Sequence, residues 1–153
     1  MSSSDFGEVM HALMHAYRDS MRSSLEAAGI ALAVPQIRLL KGIASAPGAS
    51  ASRLGAQLRL DKGQTARVLE SLEKLGLIQR TADPEDGRRR ILQITEAGAD
   101  LVRRVREAER RAADALAEPL SEPEREVLGR LIECVVVHRR AQPGCESGAN
   151  QTR

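Results

Sequence analysis

Residues 50–95, SASRLGAQLRLDKGQTARVLESLEKLGLIQRTADPEDGRRRILQIT, decide the fold of this chain. The beginning of this stretch predicts a short amphipathic helix, because Leu54 and Leu58 lie about one helical turn apart. Either Ser50 or Ser52 can cap its N-terminus, since a serine hydroxyl accepts a hydrogen bond from a free amide of the first turn. We therefore expect one short helix here, followed by a turn.

A second helix is expected to start after Asp61, a favoured N-cap residue, and to stop at Gly76. Its apolar positions recur every three or four residues, which indicates one buried face. These positions are Thr65, Val68, Leu69, Leu72 and Leu75. The opposite face presents Lys62, Gln64 and Arg67 in the first two turns. A short helix, a tight turn and a second helix with polar donors near its start are typical of a helix-turn-helix, whose second helix enters the DNA major groove.

Two short strands are predicted after the second helix, at residues 77–80 and 91–94. The intervening residues 81–90 are polar and contain proline and glycine, so they suit an exposed hairpin tip. The tip carries an Asp-Gly turn followed by three arginines: Asp86, Gly87, Arg88, Arg89 and Arg90. Arginines at such a tip are suited to phosphates or to the minor groove. The whole stretch therefore predicts a winged helix-turn-helix.

The run from Leu54 to Arg80, L-x-x-x-L-x-x-D-K-G-x-x-x-R-V-L-x-x-L-x-x-x-G-L-I-x-R, resembles the MarR family of bacterial transcriptional regulators. The D-P-E-D-G-R sequence of the tip and the I-T-E-A-G sequence at residues 94–98 resemble that family too. The resemblance covers nearly the whole chain and implies dimerising helices on both sides of the wing. It also implies that Asp86 positions Arg88 for entry into the minor groove.

Two positions depart from the family pattern. Gly55 stands where the family usually has alanine, and glycine weakens a helix. Arg59 stands in the turn where many members have glycine. We expect Arg59 to adopt a positive φ at some cost in strain, because side chains with a Cβ rarely occupy that region.

Two helices are predicted before this stretch. The first begins with Ser4 or Asp5 as its cap and runs to about Ala28. Its apolar stripe comprises Phe6, Met10, Leu13, Tyr17, Met21 and Leu25. The second begins at Val34, has Pro35 in its first turn and ends before Pro47. Its inward residues are Ile37, Leu40 and Ile43.

Two more helices are predicted after the wing, one from a cap at Thr95 to about Ala117 and one from a cap at Ser121 to about His138. The apolar positions of the first are Leu101, Val105, Ala108, Ala112, Ala115 and Leu116. Those of the last form a wide face: Val127, Leu128, Leu131, Ile132, Val135 and Val136. One small protomer cannot bury all of this surface, which predicts a homodimer.

The fold class is therefore mainly α, with about six helices and one small β-wing. We divide the chain into a dimerisation helix at residues 1–32, a DNA-binding domain at 33–95, dimerisation helices at 96–139 and a flexible tail at 140–153.

The predicted function is sequence-specific binding to double-stranded DNA. Two copies related by a two-fold axis place their second helices in major grooves about 34 Å apart, which requires a pseudo-palindromic site. Lys62 is expected on phosphate, while Gln64 can bond adenine and Arg67 guanine. Thr65 is a further candidate contact, although its spacing suits packing equally well. The resemblance implies a repressor that a small molecule, often an aromatic acid or phenol, releases from DNA.

Two alternative functions also fit parts of the sequence. His11 and His15 lie one helical turn apart on the first helix, and Cys134 and His138 have the same spacing on the last. Residues spaced in this way can bind one metal ion, so a metal-responsive or thiol-responsive regulator of the same fold is the first alternative. His11 and His15 lie beside the apolar stripe of the first helix, and Cys134 can be a small core residue. We therefore predict no metal site. A winged-helix module that binds protein is a second alternative, but its recognition face should be apolar or acidic.

Composition and charge fit a regulator. The chain has 153 residues, a net charge of +2, and nine basic against six acidic residues within positions 50–95. No stretch approaches the roughly 20 apolar residues of a membrane span, so we expect a cytoplasmic protein. Its two cysteines, Cys134 and Cys145, are then expected to be reduced. The sequence contains no phosphate-binding loop or nucleophile motif, so we expect neither enzymatic activity nor a cofactor.

Overall fold

The computed structural model describes residues 3–82 and 90–141. They form six helices and one two-stranded antiparallel sheet: α1 (Ser3–Ala27), α2 (Val34–Ser45), α3 (Ala51–Leu58), α4 (Lys62–Lys74), β1 (Ile78–Ala82), β2 (Arg90–Ile94), α5 (Glu96–Ala117) and α6 (Glu122–Ala141). This composition and order confirm the predicted fold class. The chain forms two compact units, residues 1–115 and 116–153, which are described separately.

The ends of the first two helices differ slightly from the prediction. Helix α1 already includes Ser3, so Ser4 and Asp5 lie within its first turn and are not N-caps. Helix α2 begins with Pro35 in its first turn, as predicted. Its N-cap residue, Ala33, has no capping side chain, and the Gln36 Oε1 atom accepts a hydrogen bond from the Ala33 amide at 2.7 Å instead. The Gln36 side chain thus satisfies one backbone amide at the start of α2.

The core of the first unit lies where α2 packs against α3, α4 and the sheet. Periodicity predicted most of its residues, but Leu39 and Val102 were missed although both are buried. Leu75 was predicted to face inward, yet it is 55% exposed because it is the C-cap of α4 and lies beyond the last buried turn. The central buried side chains are Leu39, Leu40, Ile43, Leu54, Leu69, Leu72, Ile78, Leu92 and Val102.

The two strands pair in the register Ile78↔Ile94 to Ala82↔Arg90. They are longer toward the tip than the sequence suggested. Thr81, Ala82 and Arg90 were predicted to belong to the hairpin tip, but they lie in the strands because ladder pairing continues past the last apolar pair.

Helix α6 belongs to the second unit. The Glu124 carboxylate accepts hydrogen bonds from the Ser121 amide at 2.8 Å and hydroxyl at 2.7 Å, which organises the start of the helix where a cap was predicted. The helix ends at Ala141, beyond the predicted end near His138. Within residues 3–82 and 90–141, no helix is both long and apolar enough to cross a membrane.

Candidate nucleic-acid interface

Helix α4 begins with a capping box around Asp61. The Asp61 carboxylate accepts a hydrogen bond from the Gln64 amide at 2.7 Å, and the Gln64 Oε1 atom accepts one from the Asp61 amide at 3.2 Å. Two amides that the helix leaves free are satisfied in this way. The predicted N-cap is confirmed, and its effect is to fix the start of α4 together with the Gln64 side chain.

The first two turns of α4 present an exposed polar face. Lys62, Gln64 and Arg67 are all exposed, as predicted. Lys62 and Arg67 form no ion pair with any residue that the structure describes, so their charges are available to a ligand. Two cations beyond the first two turns are engaged: Lys74 pairs with Glu70 at 2.8 Å, and Arg80 pairs with Glu73 at 3.2 Å. The positive charge that remains unpaired is therefore concentrated at the start of the helix.

Thr65 was predicted as a further contact on this face, and the structure corrects that prediction. Its side chain is only 5% exposed, and its hydroxyl donates to the Asp61 carbonyl at 2.8 Å. The residue lies against Gly55 of α3, with the Thr65 Oγ1 atom occupying the space that a Cβ of residue 55 would need. Thr65 therefore packs α4 against α3, because its helical position faces the neighbouring helix.

The turn between α3 and α4 is closed by Arg59 in the left-handed conformation, with φ 55°. The Arg59 amide donates to the Ala56 carbonyl at 3.1 Å, and the Leu60 amide donates to the Gly55 carbonyl at 2.9 Å. These two bonds form a Schellman motif, which usually has glycine in the left-handed position. The positive φ expected of Arg59 is confirmed. Ser50, not Ser52, caps α3, with its hydroxyl accepting from the Arg53 amide at 3.3 Å.

Helix α4 is also tied to α2 through a side-chain hydrogen bond. The Gln36 Nε2 group donates to the Ser71 Oγ atom at 2.8 Å. The sequence did not predict this contact. The only hint was a glutamine directly after Pro35, in the first turn of α2, where a polar side chain can form hydrogen bonds. The bond holds the second half of α4 in place behind its exposed face.

The wing is described only in its strands. Arg90 is exposed at the start of β2. The other predicted wing contacts, Asp86, Arg88 and Arg89, lie outside the described residues. The described part of the wing thus places one of the four predicted side chains.

The arginine-rich face of α5 is largely neutralised by acidic neighbours. Arg110 donates to Glu107 at 2.7 Å and to Asp114 at 2.8 Å, while Arg111 donates to Glu107 at 3.1 Å. These hydrogen bonds, that of Arg110 first, lower the pKa of Glu107 from its usual value to about 2. Glu107 therefore stays ionised at neutral pH, and these charges are paired, unlike those of Lys62 and Arg67 on α4.

A polar cluster lies where α1, α2 and α5 meet. The Lys41 Nζ atom contacts a Glu109 carboxylate oxygen at 2.5 Å, and both side chains are about one-third exposed, at 32% and 29%. Partial burial, and then the negative charge of Glu109, raise the pKa of the Tyr17 phenol. The Ser20 hydroxyl donates to the Ala112 carbonyl at 3.1 Å alongside. The cluster combines a cation, an anion and a phenol in one half-buried place.

The four candidate metal ligands lie on two helices, α1 and α6. His11 and His15 are exposed on α1. Cys134 is an exposed free thiol on α6, so its predicted position in the core is wrong. No group of three or more His, Cys, Asp or Glu side chains among the described residues could hold a metal ion. His138 is exposed as well.

Comparison with known proteins places this geometry in a family. The sequence model described as "MarR family" matches residues 29–89. A putative transcriptional regulatory protein for the hcr operon of Thauera aromatica is 34% identical over 95 residues, which cover 62% of this chain and 57% of that protein. An uncharacterised HTH-type transcriptional regulator of Mycobacterium bovis is 30% identical over 98 residues, covering 63% of this chain and 68% of that protein.

Solved structures agree in fold and extent. The crystal structure of MarR has a TM-score of 0.71 at 26% identity and covers 90% of this chain and 98% of its own. The PcaV transcriptional regulator of Streptomyces coelicolor in complex with its natural ligand has a TM-score of 0.62 at 27% identity, covering 85% and 90%. By sequence and by fold, the chain belongs to the MarR family of winged helix-turn-helix transcriptional regulators.

Proposed function

We propose that the protein binds double-stranded DNA as a homodimer and acts as a ligand-responsive repressor at a pseudo-palindromic operator. The observation that carries the proposal is the start of α4, where Lys62 and Arg67 are exposed and unpaired by described residues while the opposite face is buried. A helix held in this way can enter a major groove without rearrangement of its backbone. Residues 33–95 then read DNA, with Asp86 and Arg88 to Arg90 at the minor groove.

The roles of the α4 side chains follow from their chemistry. Lys62, in the first turn, suits a phosphate, and Arg67 suits the O6 and N7 atoms of guanine. Gln64 can pair with adenine only if its Oε1 atom leaves the Asp61 amide, at the loss of one exposed hydrogen bond of 3.2 Å. Because the Asp61 carboxylate still caps the Gln64 amide, this change does not require the helix to unwind.

We expect Lys62→Ala to change the affinity for DNA in general and Gln64→Ala to change base preference. Lys62→Ala should weaken binding to all duplexes and reduce the slope of log affinity against log salt by about one, since one phosphate contact is lost. Gln64→Ala should cost about 1–3 kcal/mol of discrimination at one base pair and leave the salt slope unchanged. The measurement is mobility shift with duplexes selected from a random pool, repeated across salt concentrations.

Lys74→Ala is the matched control. Lys74 is an exposed lysine at the C-terminal end of the same helix, and its charge is paired with Glu70. It should bind duplexes like the unaltered protein. Equal losses for Lys62→Ala and Lys74→Ala would contradict the proposed reading face.

The homodimer is supported by apolar surface that each unit leaves uncovered. In α1 six large apolar side chains are exposed, Phe6, Val9, Met10, Leu13, Met14 and Tyr17. In α6 seven are exposed, Val127, Leu128, Leu131, Ile132, Val135, Val136 and Val137. Soluble monomers rarely expose contiguous apolar surface on this scale. We propose that residues 1–32 and 96–139 supply the two-fold interface that covers it.

Leu131→Glu should dissociate the dimer, because Leu131 is 61% exposed in the single chain and a buried, unpaired carboxylate is costly. Sedimentation equilibrium should show a shift toward the monomer mass, and operator affinity should fall with it. Arg130→Glu introduces the same side chain on the side of α6 that carries Glu126 and Glu133 and should leave the mass unchanged. A dimer that survives Leu131→Glu would contradict this interface.

A small-molecule effector is supported by the polar cluster of Tyr17, Lys41 and Glu109 and by the ligand complex of PcaV. Because Phe6 and Tyr17 are the only Phe, Tyr or Trp residues of the chain, any effector site would be mainly aliphatic, and its polar groups would orient the ligand. Aromatic acids and phenols are the compounds to test first, by their ability to release the protein from a selected duplex.

A further inference from the structure

Thr95 lies where the end of α4, the base of the wing and the start of α5 meet. Its hydroxyl donates a hydrogen bond to the Gly76 carbonyl at 2.7 Å and accepts one from the Gly98 amide at 3.1 Å. Its own amide donates to the Leu77 carbonyl at 3.1 Å. We name the four residues Gly76, Leu77, Thr95 and Gly98 the Thr95 junction.

The hydroxyl performs two tasks that a helix cap alone does not require. To cap α5 it must accept a hydrogen bond from the first turn, which serine, threonine, asparagine and aspartate all can do. To hold Gly76 it must also donate, which an ionised carboxylate cannot do. Gly76 has a φ of 68° and ends α4, so the bond from Thr95 fixes the end of the recognition helix directly to α5.

Gly98 keeps the other side of the junction close. A Cβ at this position would lie 2.0 Å from the Leu77 carbonyl oxygen, so only glycine allows α5 to approach the base of the wing this closely. The β-branched threonine restricts its own side-chain rotation, which helps hold both hydrogen bonds in one geometry. The junction therefore links α4, the wing and α5 through short contacts on both sides of Thr95.

We propose that Thr95 is a positioning residue for DNA binding, which sets the orientation of α4 and the wing on α5 without touching DNA. The proposal rests on the proposed function, since orientation on α5 matters only if two copies must place their α4 helices at a fixed spacing. When the bond to Gly76 is lost, α4 samples several orientations on α5. The apparent dissociation constant for the operator then equals the intrinsic constant divided by the fraction of protein molecules whose α4 has the orientation that fits.

The test uses three variants of Thr95 in the full chain. Thr95→Ser keeps both hydrogen bonds and should bind a selected operator within about twofold of the unaltered protein, whereas Thr95→Ala loses both and should bind about tenfold more weakly. Thr95→Asp keeps the cap, and even improves it through the helix dipole, but cannot donate to Gly76. It should bind as weakly as Thr95→Ala while α5 remains as stable as in the unaltered protein.

Ala97→Asp is the matched control for the added charge, because Ala97 is exposed in the same first turn and its side chain takes no part in the hydrogen bonds of the Thr95 junction. Its loss of affinity should be small and should vanish at higher salt. The loss caused by Thr95→Asp should persist, since it arises from geometry.

A readout without DNA separates the two proposals. In Thr95→Asp the amides of Leu77 and Thr95 should exchange hydrogen about tenfold faster, while the capped Gly98 amide keeps its protection. If the unaltered protein binds no duplex, the proposed function is refuted and the positioning role with it. If it binds and Thr95→Asp binds equally well, with Leu77 still protected, only the positioning role is refuted.

Discussion

Replacing Gly98 by alanine is expected to destabilise the protein by about 2 kcal/mol or more, although alanine normally stabilises a helix. The added Cβ would lie 2.0 Å from the Leu77 carbonyl oxygen and 2.8 Å from the Ile94 Cγ1 atom. The first obstacle is backbone and cannot rotate away. The start of α5 must therefore move off the base of the wing, which also lengthens the hydrogen bond between Thr95 and Gly76.

Urea unfolding followed by circular dichroism measures this effect, and the midpoint of thermal unfolding should fall by about 5 °C or more. Gly129→Ala is the control, since a Cβ at Gly129 of α6 meets no atom of the described residues of the single chain within 4 Å. It should leave stability unchanged or raise it by about 0.5–1 kcal/mol. A Gly98→Ala protein as stable as Gly129→Ala would show that α5 does not approach the wing as described.

Replacing Gly55 by alanine should cost about 1–2 kcal/mol, because overpacking outweighs the gain in helix propensity. The new Cβ would lie 2.4 Å from the Thr65 Oγ1 atom and 3.3 Å from its Cγ2 atom. Thr65 is buried, and its hydroxyl is held by the Asp61 carbonyl. Relief by side-chain rotation is thus limited, and α4 must shift on α3.

A double-mutant cycle tests the contact. Thr65→Ala alone should also destabilise, since it removes a hydrogen bond and buried methyl contacts. Combined with Gly55→Ala, however, it removes both atoms nearest to the new Cβ. The double variant should be more stable than the sum of the single losses predicts, by about 1 kcal/mol. The pair Gly129→Ala and Thr65→Ala is the control and should be additive, and additivity of both pairs would contradict the contact.

The same contact explains why this chain departs from the pattern of the family it resembles. A glycine at position 55 weakens α3 when the helix is considered alone. Beside Thr65 it becomes the residue that fits, because a β-branched side chain fills the space an alanine would use. Gly55 in α3 and Thr65 in α4 are thus complementary in size, although they lie ten residues apart in the sequence.

The sequence by itself determined the helices, their order and which face of α4 is exposed and polar. Local signals suffice for these: the Asp61 cap, the left-handed Gly76 and Arg59, and the period of the leucines in α4 all act within a few residues of the chain. Exposure of Lys62, Gln64 and Arg67 follows from that period, since a helix that buries one face must present the other.

Only the tertiary structure decided what each side chain does toward its neighbours. Periodicity left Thr65 between packing and contact, and the nearby Gly55 settled it as packing. The residue type at the start of α5 indicated Thr95 as a cap but not as a donor to Gly76. The charge count of the sequence included Lys74 and Arg80, whose charges are paired with Glu70 and Glu73 in the structure. The physical reason is that capping and periodicity depend on residues close in sequence, whereas packing, pairing and second hydrogen bonds depend on which elements the fold brings together.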